Sequence, residues 1–140
     1  MPLVSITRLR IRSWRYVPAF LVYALRAAWQ AKTAPGNLAV TLLTDQARVF
    51  WTRTIWNDEA AMRSFMASGA HRNVMPHLLE WCDEASVVHW TQDSREPPSW
   101  AEALRRTLRD GRRSKVNHPS DGHRRFEFPE PTGGTELRFK

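Results

Sequence analysis

Hydrophobic and polar positions alternate at the start of the chain and then change period, and the changes divide it into elements. Over residues 3–12 (LVSITRLRIR), Leu3, Ser5, Thr7, Leu9 and Ile11 fall on one side, with Val4, Ile6, Arg8, Arg10 and Arg12 on the other. A period of two with β-branched residues predicts a strand, and its arginines would keep the latter part of one face wet. From Trp14 to Ala34 the period lengthens. Val17, Leu21, Ala24 and Ala28 recur at helical spacing, and Phe20, Leu25 and Trp29 widen the apolar face. Pro18 suits a first helical turn, where its missing N–H costs nothing, and Pro35-Gly36-Asn37 ends the helix.

Two strands follow, Leu38–Thr44 and Arg48–Trp56, joined as a hairpin by Asp45-Gln46-Ala47. Both are apolar on both faces, with Val49, Trp51 and Ile55 opposite Phe50 and Trp56. Such strands need a cover on each side, one from their own helices and one from something else. Asn57 or Asp58 then caps a helix whose buried stripe is Met62, Phe65 and Met66. Ser68-Gly69 interrupts it, and a second piece runs from about His71 to Trp81, with a kink or restart expected at Pro76. The last core strand is Ala85–Thr91.

The order β-α-β-β-α-β predicts an α+β, ferredoxin-like fold with an antiparallel sheet. Residues 1–92 form this domain. Residues 93–140 are expected to belong to the same domain as a C-terminal helix and an extended tail. Residues 93–98 (DSREPP) read as a linker, and Ser99 can cap a helix Trp100–Arg109 with Trp100, Ala103, Leu104 and Leu108 inward. From Gly111 onward there is no sustained period, and this stretch is expected either to dock as an extended arm or to stay loose.

Composition changes the picture only locally. Seven tryptophans in 140 residues suggest a buried cavity or a subunit contact. The single cysteine, Cys82, excludes an internal disulfide framework and fits a reducing, cytoplasmic compartment. At the end of an apolar helical run it reads as a buried, inert thiol. The most apolar run, Val17–Leu25, is too short to span a bilayer and stops at Arg26, so no membrane partner is expected. The net charge of +7 is spread along the chain, apart from the group Arg105, Arg106, Arg109, Arg112, Arg113 and Lys115. A solvated helix face and a basic loop account for that group more simply than a phosphate track, which argues against nucleic acid.

No nucleotide-binding glycine loop or Cys/His zinc spacing is present, so neither a metal nor a nucleotide cofactor is expected. The few carboxylates lie mostly at helix starts or ends, which leaves a glycosidase-like acid/base pair nothing to rest on. The segment from Arg48 to Trp90 stands out instead. Its strand ends in Trp56, and a capped helix, a small-residue break, His71 and a final strand follow. This order resembles the second half of the antibiotic-biosynthesis monooxygenase superfamily. Trp56-Asn57-Asp58-Glu59, Ser64-Phe65-Met66 and Ser68-Gly69-Ala70-His71-Arg72 resemble spheroidene monooxygenase-like proteins and their single-domain relatives.

That resemblance implies a homodimer whose two sheets pack into a dimeric α+β barrel, with a cavity between sheet and helices. It implies oxidation of a bulky apolar or aromatic small molecule. The reaction would be cofactor-free in some members, while others bind haem through a helical histidine. His71, Arg53 and Trp56 are then the candidate catalytic residues, with Trp51, Phe65 and His89 as pocket lining. Haem-degrading relatives carry an Asn on the first strand, where the polar residues here are Ser5 and Thr7, which lowers haem degradation below generic oxygenation. A non-catalytic, small-molecule-binding or dimer-scaffold protein on the same fold is the alternative.

Overall fold

A computed structural model describes residues 1–140, apart from the side chain of Ala70. The chain runs β1 (Leu3–Ile11), a short 3-10 turn (Trp14–Tyr16), α1 (Val17–Thr33), β2 (Asn37–Thr44) and β3 (Val49–Trp56). It continues through α2 (Glu59–Met66), α3 (Gly69–Trp81), β4 (Cys82–Thr91) and α4 (Trp100–Asp110). The tail adds β5 (Arg112–Arg113), α5 (Asp121–Arg125) and β6 (Thr135–Arg138). The sheet order is β5-β4-β1-β3-β2-β6 with every pairing antiparallel, so its centre is the ferredoxin-like 4-1-3-2 arrangement. The short tail strands β5 and β6 cover both edges of that central sheet, which removes two unpaired rows of backbone groups.

Local chemistry sets the boundaries. Asp58 Oδ1 accepts the Ala61 N–H at 2.8 Å and starts α2, while Ser99 Oγ accepts the Glu102 N–H at 3.1 Å and starts α4. The β2–β3 turn needs left-handed backbone at Ala47 and Arg48, and Arg48 is held there by its Nε donating to the Ile11 carbonyl at 2.7 Å. Pro76 lies within α3, which continues through it as one helix.

Strand parity assigns the two sheet faces. Ser5, Thr7 and Leu9 of β1, Thr52, Thr54 and Trp56 of β3 and Val40 and Leu42 of β2 face α1, α2 and α3. Val4, Ile6, Trp51, Ile55, Leu43 and Val88 face the other way, in one apolar cluster with Ala103 and Leu104 of α4 and with Phe128. The second cover that two-sided strands require therefore comes from the chain's own C-terminal segment. The two-sided strands need no partner sheet to cover them, contrary to the expectation from their pattern. The exposed surface of 7617 Å² agrees with the roughly 7,500 Å² expected of a compact monomer of this mass.

Two inward assignments change as well. In α4 the buried residues are Ala103, Leu104 and Thr107, and Leu108 is exposed. Thr107 turns its hydroxyl back to the Ala103 carbonyl at 2.8 Å, which allows a threonine to be buried there. In α1, Leu25 and Trp29 point to solvent. Cys82 is fully buried, and burial pushes its thiol up to about 12, so it is no nucleophile at neutral pH.

Candidate functional site

Between the sheet and α1, α2 and α3 lies a cavity of about 370 Å³. Its origin is a mismatch of side-chain size. The inward positions of α1 along this stretch are Ala24, Ala27, Ala28 and Ala31, and the strand positions facing them include Ser5, Thr7 and Thr52. Small residues on both layers leave space that larger ones would fill. Around that space stand Trp56, Met62, Phe65, Met66 and Met75, so the walls are almost wholly apolar. Residues 114–117 close the gap between β4 and α3: the Ser114 N–H donates to the Ala85 carbonyl and the Asn117 N–H to the Leu79 carbonyl, each at 2.9 Å.

His71 is the one imidazole on this wall. Gly69 opens α3 with φ of 57°, a left-handed conformation that suits glycine, and a Cβ there would meet the Gln30 side chain at 2.4 Å. Gln30 in turn donates to the Ser68 carbonyl and hydroxyl, both at 3.0 Å, so α1 fixes the start of α3. The His71 ring lies 5.0 Å from that of Phe65, which lies 5.2 Å from the ring of Trp56. His71 Nδ1 is 3.3 Å from the Met66 carbonyl. Because a carbonyl only accepts, Nδ1 carries the proton and Nε2 is left as a base. Burial lowers the His71 pKa, outweighing that hydrogen bond, so the ring is neutral at pH 7.

The other candidates separate by strand parity. Trp56 and Phe65 line the cavity, but the Trp56 Nε1–H donates to Thr54 Oγ1 at 2.9 Å, so it is a wall rather than a free donor. Trp51 and Arg53 lie on the opposite face of the sheet, away from His71. Arg53 donates to the Pro98 carbonyl at 2.8 Å and to Thr41 Oγ1 at 3.3 Å, with its guanidinium 4.3 Å from the Trp100 ring centre. These contacts hold α4 to the sheet. His89 shares the cavity face of the sheet, opposite Ser5, yet lies outside the lining. Its Nε2 is buried without a hydrogen-bond partner, and burial lowers its pKa, with Arg112 adding to the effect.

Several lining residues are absent from the sequence candidates: Met62, Met66, Met75, Thr7, Thr52 and Lys115. The signal available for them was the run of alanines at helical spacing in α1 against Ser and Thr at alternate positions of β1. Among the described residues, no three His, Cys, Asp or Glu side chains come together as a metal site.

Solved structures with the same fold are numerous. Rv0793 from Mycobacterium tuberculosis aligns at a TM-score of 0.61 with 12% identity, over 67% of this chain and 97% of its own. An antibiotic biosynthesis monooxygenase aligns at 0.59 with 20% identity, over 66% and 99%. A variant of SnoaB, a cofactor-independent oxygenase from Streptomyces nogalater, aligns at 0.56 with 17% identity, over 66% and 94%. At these identities the likeness is one of fold, the fold of the antibiotic biosynthesis monooxygenases that the order around Trp56 and His71 resembles. No curated protein sequence matches the chain. The model of a family described as a domain of unknown function, DUF3291, matches residues 26–131, and the chain belongs to that family.

Proposed function

We propose that the cavity binds a bulky, apolar and weakly acidic aromatic molecule, and that the protein oxidises it as a monooxygenase-like enzyme. The observation that carries this reading is a neutral imidazole, its Nε2 unprotonated, on a mostly apolar wall. A base of this kind can take the proton of a phenol or enol within hydrogen-bond reach. The anion left behind can pass an electron to dioxygen, an encounter that mostly apolar walls favour. Thr7, Thr52 and Ser5 supply hydroxyls along the sheet side, where they can orient the ring oxygens of a ligand. His71 and Lys115 would be the residues to hold a haem here, and the group would supply oxygen activation. Deprotonation of an acidic substrate by His71 does not require it. A homodimer, which the resemblance implies, would have to form outside the sheet face already covered by α4 and Phe128.

Binding without turnover is the second reading, favoured by the sparseness of the site: among the described residues, His71 and Lys115 are the only ionisable side chains on its wall. Oxygen uptake with a panel of polycyclic phenols separates the two. The His71→Gln variant is expected to lower the rate about a hundredfold while leaving ligand affinity within about threefold. A variant that consumes oxygen at the wild-type rate would remove His71 as the base.

A further inference from the structure

Helix α1 is apolar on two sides. Its inner side walls the cavity, while its outer side presents Pro18, Val22, Leu25 and Trp29, all exposed. Their spacing of four, three and four residues places them in one stripe along the helix. Trp14 stands at its head. Trp14 and Trp29 expose 67% and 62% of their surface, and Val22 and Leu25 expose 50% and 45%. A contiguous apolar stripe of this kind on a soluble surface marks a place where something docks.

The charge around the stripe identifies what docks. Residues 1–44 contain no Asp or Glu and six Arg or Lys. Lys32 Nζ sits 4.8 Å from the Trp29 ring centre, and the Arg48 guanidinium sits 5.8 Å from that of Trp14. Lys140 Nζ reaches the Lys32 carbonyl, adding a cation at the same end. Among the described residues, Arg15, Arg26, Lys32, Arg48 and Lys140 form no ion pair. The stripe is thus apolar along its centre with cations along its margins, while Glu80 near its head is taken up by Arg12.

We propose that the outer face of α1 lies on an anionic lipid bilayer. Val22, Leu25 and Pro18 enter the boundary between headgroups and acyl chains. Trp14 and Trp29 sit at headgroup level, and Arg15, Arg26, Lys32 and Arg48 meet the lipid phosphates and carboxylates. A second copy of this chain fits less well, because pairing the stripes would set Arg15, Arg26 and Lys32 against the same cations of the other copy, and these form no ion pair of their own among the described residues. Nucleic acid would use the cations but leave the Val and Leu side chains in water. The contact is peripheral: α1 has 17 residues, and among the described residues no helix is long and apolar enough to cross a membrane.

Flotation of the full chain with vesicles tests the proposal. Vesicles of phosphatidylcholine with about one-third phosphatidylserine should bind the protein at least about tenfold more than phosphatidylcholine alone, and high salt should release it. The double variant Leu25→Glu, Trp29→Glu should lose that binding by tenfold or more with an unchanged melting temperature, since both side chains are exposed in the folded chain. Arg26→Gln with Lys32→Gln should reduce the preference for anionic vesicles while leaving the fold intact. Absence of binding at low salt, or binding that survives Leu25→Glu, Trp29→Glu, would overturn the proposal. A wild-type dimer that this variant converts to a monomer would assign the stripe to a second copy instead. Oligonucleotide binding lost in the same variant would assign it to nucleic acid.

Discussion

Under α4 the sheet carries Trp51, Arg53 and Arg8, and all three long side chains are buried against the chain's own C-terminal segment. Under α1 and α3 the same strands carry Ser5, Thr7 and Thr52, and a cavity of about 370 Å³ remains. One face is filled by the chain's own buried side chains; the other leaves room for a molecule. The contrast shows how a single sheet can separate stability from ligand binding by parity alone. Neighbouring residues on β3 belong to different tasks, Arg53 anchoring α4 while Thr52 and Thr54 edge the cavity.

The filled face also holds the chain's most buried ion pair. Arg8 donates to Glu84 at 2.6 Å, and Ser120 of the tail donates to the other Glu84 oxygen at 2.7 Å. Burial alone would raise the Glu84 pKa, but the Ser120 hydroxyl and the Arg8 guanidinium hold it below the ordinary carboxylate value. The largest effect on stability is therefore expected from Glu84→Ala, which leaves Arg8 buried and uncompensated beside Arg10. A loss of about 3–5 kcal/mol in denaturant unfolding is predicted. Replacing both partners by apolar residues, Arg8→Met with Glu84→Leu, should recover most of it. If Glu84→Ala unfolds like the wild type, the Arg8–Glu84 pair does not anchor the face under α4.

The open face should respond the other way. Ala28→Leu places extra methyl groups into the cavity without displacing a polar partner. Its stability should stay within about 1 kcal/mol of the wild type, because added burial offsets any strain. Affinity for an apolar ligand should fall at least about tenfold, which a fluorescence titration reads directly. Unaltered affinity would move the ligand elsewhere.

The smallest effect is on pH dependence. The folded chain holds His71 with a lowered pKa, so it disfavours the protonated ring relative to the unfolded chain. Below the ordinary histidine value of about 6.5 the unfolded state binds the extra proton, and stability falls as pH drops from there toward the folded pKa. His71→Gln should flatten part of that slope. His89 and His123, whose pKa values burial also lowers, should supply the remainder.

Much of this architecture is written in the alternation of the first ninety residues. Period two over β1 and the caps at Asp58 and Ser99 each rest on local chemistry, and each reappears in the structure. The tail was illegible for a physical reason. Its strands, Arg112–Arg113 and Thr135–Arg138, are two and four residues long and exposed, so they carry no hydrophobic period. Residues of α1 were misplaced because a helix apolar nearly all round gives no sidedness, and Leu25 and Trp29 read like core. For the site, three of the six candidates, Trp56, Phe65 and His71, line one cavity. Arg53 and Trp51 were drawn in by their chemistry, although they differ in parity from Trp56 and so belong to the other face. Met62 and Met66 were legible as a buried stripe, whereas the alanines of α1 advertise no chemistry and gave no sign of the space they leave.

The chain carries its own reporters for the central claim. Met62, Met66 and Met75 line the cavity, whereas the remaining methionine, Met1, lies outside it and is 70% exposed. With carbon-13-labelled methionine methyl groups, titration with a polycyclic phenol such as 1-naphthol should shift the three cavity resonances together along one binding curve and leave Met1 in place. Unmoved cavity methyls at saturating ligand, or a shift at Met1 alone, would contradict the assignment of the helix-side cavity as the ligand site.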